Sequence, residues 1–178
     1  MSVWRPGDRR PHTNSMIRVD QAGEYGATRI YAGQLAVLRP NCAEAKLIAR
    51  MAAQEQRHLN RFNALMASRR VRPTALQPLW NVAGFALGAA TALMSEEAAL
   101  ACTDAIETEI DKHYGSQLDA LANDDPELSA DITEFRAEEL EHRDTARSAG
   151  ATNAPAYPLL TAAIRAGCRV AIGLSKRI

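Results

Sequence analysis

The stretches AAQEQRHLN (52–60) and AEELEHRD (137–144) decide how this chain is read. Each contains Glu-x-x-His: Glu55 with His58, and Glu139 with His142. Residues three apart on an α-helix share a face, so each pair offers one carboxylate and one imidazole to the same region of space. A lone glutamate precedes each pair at nearly the same distance. Glu24 lies 31 residues before Glu55, and Glu107 lies 32 before Glu139, so a unit occurs twice, offset by 83 to 84 residues. The midpoint of each unit falls on a turn, at Pro40 in the first and at 123–125 in the second. If each unit is an antiparallel helical hairpin, its Glu and its Glu-x-x-His stand level, about 24 Å from the turn. Packing the hairpins together then brings six side chains to one height inside a four-helix bundle.

The remaining sequence predicts an all-α fold. There are 34 alanines, 5% of residues are aromatic, and no run alternates with the two-residue period of a strand. Pro40 ends a first helix at about 16–38. Asn41 with Glu44 predicts a capping box for a second, at about 42–70. Gln77-Pro78 opens a third, reaching about 94, and Ser95 caps a fourth, reaching about 122. Asp125-Pro126 opens a fifth, to about 150, and Pro155 and Pro158 lead into a sixth that reaches the C-terminus. Residues 1–15 read as a flexible tail and 16–178 as a single domain.

Glu24, Glu55, His58, Glu107, Glu139 and His142 make four carboxylates and two imidazoles, the ligand set of di-iron bundles. Two Fe²⁺ balance four carboxylates, and a neutral centre can be buried where unpaired charge cannot. Oxygen-rich ligation suits iron or manganese, whereas thiolates suit zinc. Cys42, Cys102 and Cys168 show no ligand spacing, and their odd number argues against a disulfide framework. One Glu-x-x-His alone reads as solvated surface; two copies with matched glutamates do not. Glu109, Glu138 and Glu141 are neighbouring acids, and the spacing favours Glu107 over Glu109 narrowly. His113 reads as an ordinary helix histidine, with contact to the centre as the minor alternative. His12 falls in the tail.

Net charge is zero, with 21 basic and 21 acidic residues, which gives no reason to expect nucleic acid. The zero is a cancellation: residues 1–95 carry +8, 96–144 carry −13 and 145–178 carry +5. The stretch 73–95 is uncharged and holds Gly84 and Gly88, yet its helix is too short to span a bilayer. A span would also separate Glu55 and His58 from Glu107, so it reads as the crossover joining the hairpins. The last helix places Arg165, Arg169 and Lys176 on one face and apolar side chains elsewhere. It reads as a membrane-surface helix facing anionic headgroups, with Trp80 and Phe85 suited to the same interface. The acidic faces of helices 4 and 5 then point to solvent. The N-terminus has no apolar core for a secretory signal and makes a poor transit peptide. The expected location is the cytoplasmic face of a bacterial membrane, with the matrix side of the mitochondrial inner membrane as the alternative.

The chain resembles the demethoxyubiquinone hydroxylase family. The residues that carry this are IRVDQAGEYGATRIYAGQLAVL (17–38), RVRPTALQPLWN (70–81), PLWNVAGFALGAATAL (78–93), FRAEELEHRD (135–144) and AGCRVAIGLSKRI (166–178). The similarity runs from about residue 16 to the end. It implies a ferritin-like four-helix bundle and a di-iron monooxygenase of ubiquinone biosynthesis, which hydroxylates the ring of a polyprenylated demethoxy-benzoquinol with O₂. It implies that the six residues above are the iron ligands, that Glu55 and Glu139 bridge, and that no catalytic residue is needed beyond them. It implies NADH as an electron source relayed through the quinone, and a lipid-binding accessory protein as a partner type. Soluble bacterial di-iron monooxygenases carry Asp-Glu-x-Arg-His. This chain has Gln54 and Glu138 at the first position, and Arg57 in one copy against Glu141 in the other, so the hydrogen bonds behind the histidines should differ. No dinucleotide-binding glycine motif is present. Ferritin-like iron storage is the alternative, opposed by the apolar helix 3 and basic helix 6; an inert membrane-surface module is another. A homo-oligomer is left open.

Overall fold

Thr13–Val37 (α1), Ala43–Arg69 (α2), Gln77–Met94 (α3), Glu96–Leu121 (α4), Pro126–Ser148 (α5) and Tyr157–Ser175 (α6) are helical in the computed structural model, which describes residues 12–122 and 124–177. A 3₁₀ turn, Ala151–Asn153, precedes α6, and no strand occurs among the described residues. The all-α expectation holds. Ser95 caps α4 by accepting from the Ala98 N–H at 3.0 Å, and Asp125 caps α5 by accepting from Leu128 at 3.1 Å. The start of α2 differs from expectation: Cys42 is the cap, its sulfur accepting from the Ala45 N–H at 3.3 Å. Asn41 instead adopts φ 70°, the left-handed conformation that asparagine tolerates, and so turns the chain rather than capping it. Helix α1 starts at Thr13, inside the expected tail, and α6 ends at Ser175, short of the expected C-terminus. The rest of that tail, residues 1–11, lies outside the described residues.

Helices α1 and α2 form one hairpin, and α4 and α5 the other. Buried apolar clusters lie on either side of mid-height. One contains Tyr31, Ile48, Met51 and Leu100; the other contains Phe62, Leu65, Leu121, Leu128 and Ile132. The crossover α3 runs parallel to α1 at very close range: Gly33 packs on the Phe85 carbonyl and Gly88 on the Ile30 carbonyl, where a Cβ would overlap the oxygen. The glycine spacing that suggests membrane-helix pairing is thus used inside the molecule. No helix among the described residues is long and apolar enough to cross a membrane.

The segmental charge is resolved by pairing across helices. Arg57 meets Glu138 at 2.5 Å and Arg61 meets Asp131 at 2.7 Å, tying α2 to α5. Arg136 with Asp111 (2.7 Å) and Arg147 with Asp104 (2.8 Å) tie α5 to α4. Partly exposed pairs are worth at most about 1 kcal/mol each, so they set helix register more than stability. Arg165 and Arg169 of α6 pair with Glu109 on α4, at 2.7 and 3.2 Å, while more than half of the Arg169 side chain stays exposed and Lys176 is exposed. Trp80 is half-buried and donates its indole N–H to Ser175 Oγ at 3.0 Å, while Phe85 is exposed. Both helices also expose large apolar side chains, among them Leu79, Val82 and Leu93 on α3 and Leu159, Val170 and Leu174 on α6.

Candidate metal centre

All six residues singled out by spacing come together, each no more than 2% exposed. Donor atoms of Glu24, Glu55, His58 and Glu139 lie within 4.8 Å of one another, as do those of Glu55, Glu107, Glu139 and His142. The two quartets share Glu55 and Glu139, which is the arrangement two bridging carboxylates give to a pair of ions. Burying four carboxylates without a cation is strongly unfavourable. Glu24 Oε2, both Glu55 oxygens and Glu107 Oε2 are buried with no hydrogen-bond partner. Orphaned carboxylate oxygens aimed at a common interior, with two imidazoles, fit hard or borderline divalent cations.

Both imidazoles turn Nδ1 inward. His58 Nδ1 lies 3.1 Å from Glu139 Oε1 and 3.5 Å from Glu24 Oε2. His142 Nδ1 lies 3.1 Å from both Glu55 Oε1 and Glu139 Oε2. Their Nε2 atoms face Glu138 at 2.6 Å and Gln54 at 2.9 Å. An Nε2–H donated outward leaves the Nδ1 lone pair free for a metal.

Burial pushes the Glu55 and Glu107 carboxyls well above the usual range, and the nearby Glu139 charge adds to this. Burial acts on Glu139 in the same sense, but hydrogen bonds from His142 and His58 hold it at about 2. Burial would lower His58, yet Glu139 and Glu24 lift it to about 10. Glu55, Glu107 and His58 therefore hold their protons more tightly than the free groups do.

Two tyrosines complete the site. The Tyr114 hydroxyl donates to Glu24 Oε1, and Tyr31 donates to Glu107. Each follows its own repeat's lone glutamate by seven residues and bonds the glutamate of the other repeat. Sequence reasoning missed both, although they share the 83-residue offset of Glu24 and Glu107. The neighbouring acids lie elsewhere: Glu109 pairs with α6, Glu138 sits behind His58, and Glu141 is exposed. His113 lies 3.2 Å from Asp20 Oδ1 and belongs to neither quartet.

An apolar cavity of about 540 Å³ lies between α1, α3, α4 and α6. Its lining includes Gly23 and Ala27, one residue before and three after Glu24, and Ile106 and Ile110, one before and three after Glu107. Trp80, Ile164 and Cys168 help form the walls contributed by α3 and α6.

A helical bundle with a buried, carboxylate-rich cluster of metal-binding type beside an apolar cavity is the class defined by these features. Within it, the chain belongs to the family of ubiquinone biosynthesis protein COQ7, which it matches over residues 11–175. It is 55% identical over 175 residues to a 3-demethoxyubiquinol 3-hydroxylase of Rhodospirillum rubrum, covering 97% of this chain and 82% of that relative. It is 53% identical over 173 residues to the NADPH-dependent 3-demethoxyubiquinone 3-hydroxylase, mitochondrial, of Homo sapiens, covering 95% and 79%. It is 45% identical over 179 residues to the mitochondrial 5-demethoxyubiquinone hydroxylase of Saccharomyces cerevisiae, covering 92% and 77%.

Proposed function

We propose that the chain is a 3-demethoxyubiquinol 3-hydroxylase, a monooxygenase that adds a ring hydroxyl to a polyprenylated demethoxy-benzoquinol in ubiquinone biosynthesis. The observation that carries this reading is the pair of overlapping Glu/His quartets set against an apolar cavity. Glu24, Glu55, His58, Glu107, Glu139 and His142 would hold two iron ions, with Glu55 and Glu139 common to both. An iron pair held there would supply O₂ activation, with two electrons from the reductant and two protons taking one oxygen atom to water while the other enters the ring C–H bond.

The chain's own residues do the rest. Tyr31 and Tyr114 fix the rotamers of Glu107 and Glu24. Glu138 and Gln54 hold the imidazoles with Nδ1 facing inward. The apolar cavity binds the ring and excludes water. The exposed apolar side chains of α3 and α6 rest on a membrane surface, so the isoprenoid tail stays in lipid while the ring enters. The human and mouse relatives are named NADPH-dependent, which supports a reduced nicotinamide nucleotide as the electron source in place of NADH alone. The relatives include bacterial and mitochondrial proteins, and a membrane face in either setting suits this chain.

Anaerobic iron loading, followed by demethoxyquinol and O₂, tests the reading. A quinol product heavier by one oxygen supports it. Iron uptake far beyond two per chain, with no change in the quinol, would instead indicate storage.

A further inference from the structure

The two histidines are backed by chemically different groups. His58 Nε2 meets the Glu138 carboxylate at 2.6 Å, and His142 Nε2 meets the Gln54 amide oxygen at 2.9 Å. Gln54 and Glu138 are equivalent positions of the repeat, each directly preceding the Glu of Glu-x-x-His. Each reaches the other hairpin's histidine. The residue three further on distinguishes the copies: Arg57 meets Glu138 at 2.5 Å, whereas its counterpart in the second copy is Glu141. The chain thus puts a carboxylate, Glu138, where the other copy supplies a guanidinium to meet it, and an amide, Gln54, where the other copy has the acid Glu141 at that position. A second difference points the same way. The His58 ring stacks on Phe135, with centroids 4.0 Å apart, while the position equivalent to Phe135 in the first copy is Met51.

An imidazole that donates its N–H to a carboxylate is a stronger metal ligand than one that donates to a neutral amide. A ring held by stacking also loses less freedom on ligation. We propose that the two metal positions are unequal by construction. Glu138 acts as a positioning residue that makes the Glu24/Glu55/His58/Glu139 position the tighter one, and the Gln54-backed Glu55/Glu107/Glu139/His142 position is the weaker. This rests on the metal-centre reading above and adds an order of filling to it.

Repulsion between ions makes any second ion bind more weakly, so the discriminating comparison uses one position at a time. Mn²⁺ binding to the metal-free full-length chain is followed by electron paramagnetic resonance, with helicity checked by circular dichroism. His142→Ala keeps the Glu138-backed position and should bind Mn²⁺ at least about tenfold more tightly than His58→Ala, which keeps the other. Adding Glu138→Gln to His142→Ala should erase the difference. In the chain with both histidines, Glu138→Gln should weaken the first binding step about tenfold, while Gln54→Glu should not. Equal affinity in the two single-histidine variants, or tight binding that survives Glu138→Gln, overturns the proposal and leaves the hydroxylase reading intact. No Mn²⁺ binding to the unsubstituted chain would overturn both.

Discussion

The Tyr31 hydroxyl of the first hairpin donates to Glu107 Oε1 of the second at 2.8 Å, with both side chains fully buried. Tyr114 and Glu24 repeat the contact in the opposite direction. The hairpins are therefore joined at the level of the centre by two crossed phenol–carboxylate bonds. Removing the hydroxyl leaves a buried carboxylate short of a donor. Tyr31→Phe should cost about 1–3 kcal/mol of stability and leave the helices formed. Urea unfolding of the metal-loaded protein measures this. An unchanged midpoint would mean that the bond does no positioning.

Neither Glu55 oxygen has a hydrogen-bond partner, and His142 turns Nδ1 toward Glu55 and Glu139, so the proposed ligand roles make a direct prediction. Glu55→Ala and His142→Ala should lower bound iron below two per chain and abolish hydroxylation while helicity persists. Metal analysis, product mass and circular dichroism on the same samples check the three parts. Hydroxylation by an iron-free variant would show the assignment to be wrong.

Protons and cations compete for the site, which fixes a pH dependence. Glu55 and Glu107 are raised above their ordinary 4.5, and His58 is raised from 6.5 to about 10. In each case the folded, metal-free chain binds the proton more tightly than the unfolded chain. That stabilisation is complete below the unfolded value and is lost as pH rises toward the folded one. Between pH 6 and 8, metal-free protein should therefore become less stable through these groups, and metal should displace more weakly held protons. The gap in Tm between loaded and metal-free protein should widen from pH 6 to pH 8. A narrowing gap would contradict the charge assignment.

Helix α3 reaches α1 only because Gly88 has no side chain: a Cβ there would overlap the Ile30 carbonyl. Gly88→Ala should cost about 1–3 kcal/mol by forcing the helices apart. Because α1 and α3 both wall the cavity, the KM for the quinol should also rise. Denaturation and steady-state kinetics measure the two effects, and a variant of unchanged stability would contradict the close approach.

The exposed apolar faces should govern membrane contact. Val82 is 66% and Val170 61% exposed, so Val82→Asp and Val170→Asp should leave unfolding midpoints nearly unchanged. Sedimentation with phospholipid vesicles should show binding lost in the double variant. Full retention on vesicles would remove these faces from the membrane account.

Much of this was legible in the sequence because a metal site imposes spacing. A pair of Glu-x-x-His motifs, each with a glutamate at matched distance, leaves hairpins meeting at mid-height as the simplest solution. Glu107 and Glu109 were hard to separate by distance along the chain, yet they are about 200° apart around a helix. Only packing shows which one faces inward: Glu107 joins the centre, and Glu109 receives Arg165 and Arg169. The same gap explains α6. Sequence places its arginines on one face but does not reveal the buried acid that the face meets. Tyr31 and Tyr114 went unnoticed because a buried aromatic at helical spacing ordinarily reads as core. Their hydroxyls acquire meaning only once the opposite hairpin is in place. Cys42 displaced Asn41 as a cap because the tight turn after Pro40 required a left-handed residue first.

The most direct test uses isotopic oxygen. Protein loaded anaerobically with two iron ions per chain is mixed with reduced demethoxyquinol and ¹⁸O₂ in ordinary water, and the product is weighed by mass spectrometry. The account predicts one ¹⁸O in the new ring hydroxyl and none when the label is in the water. A ring hydroxyl drawn from water, or O₂ consumption with no new ring oxygen, would contradict it.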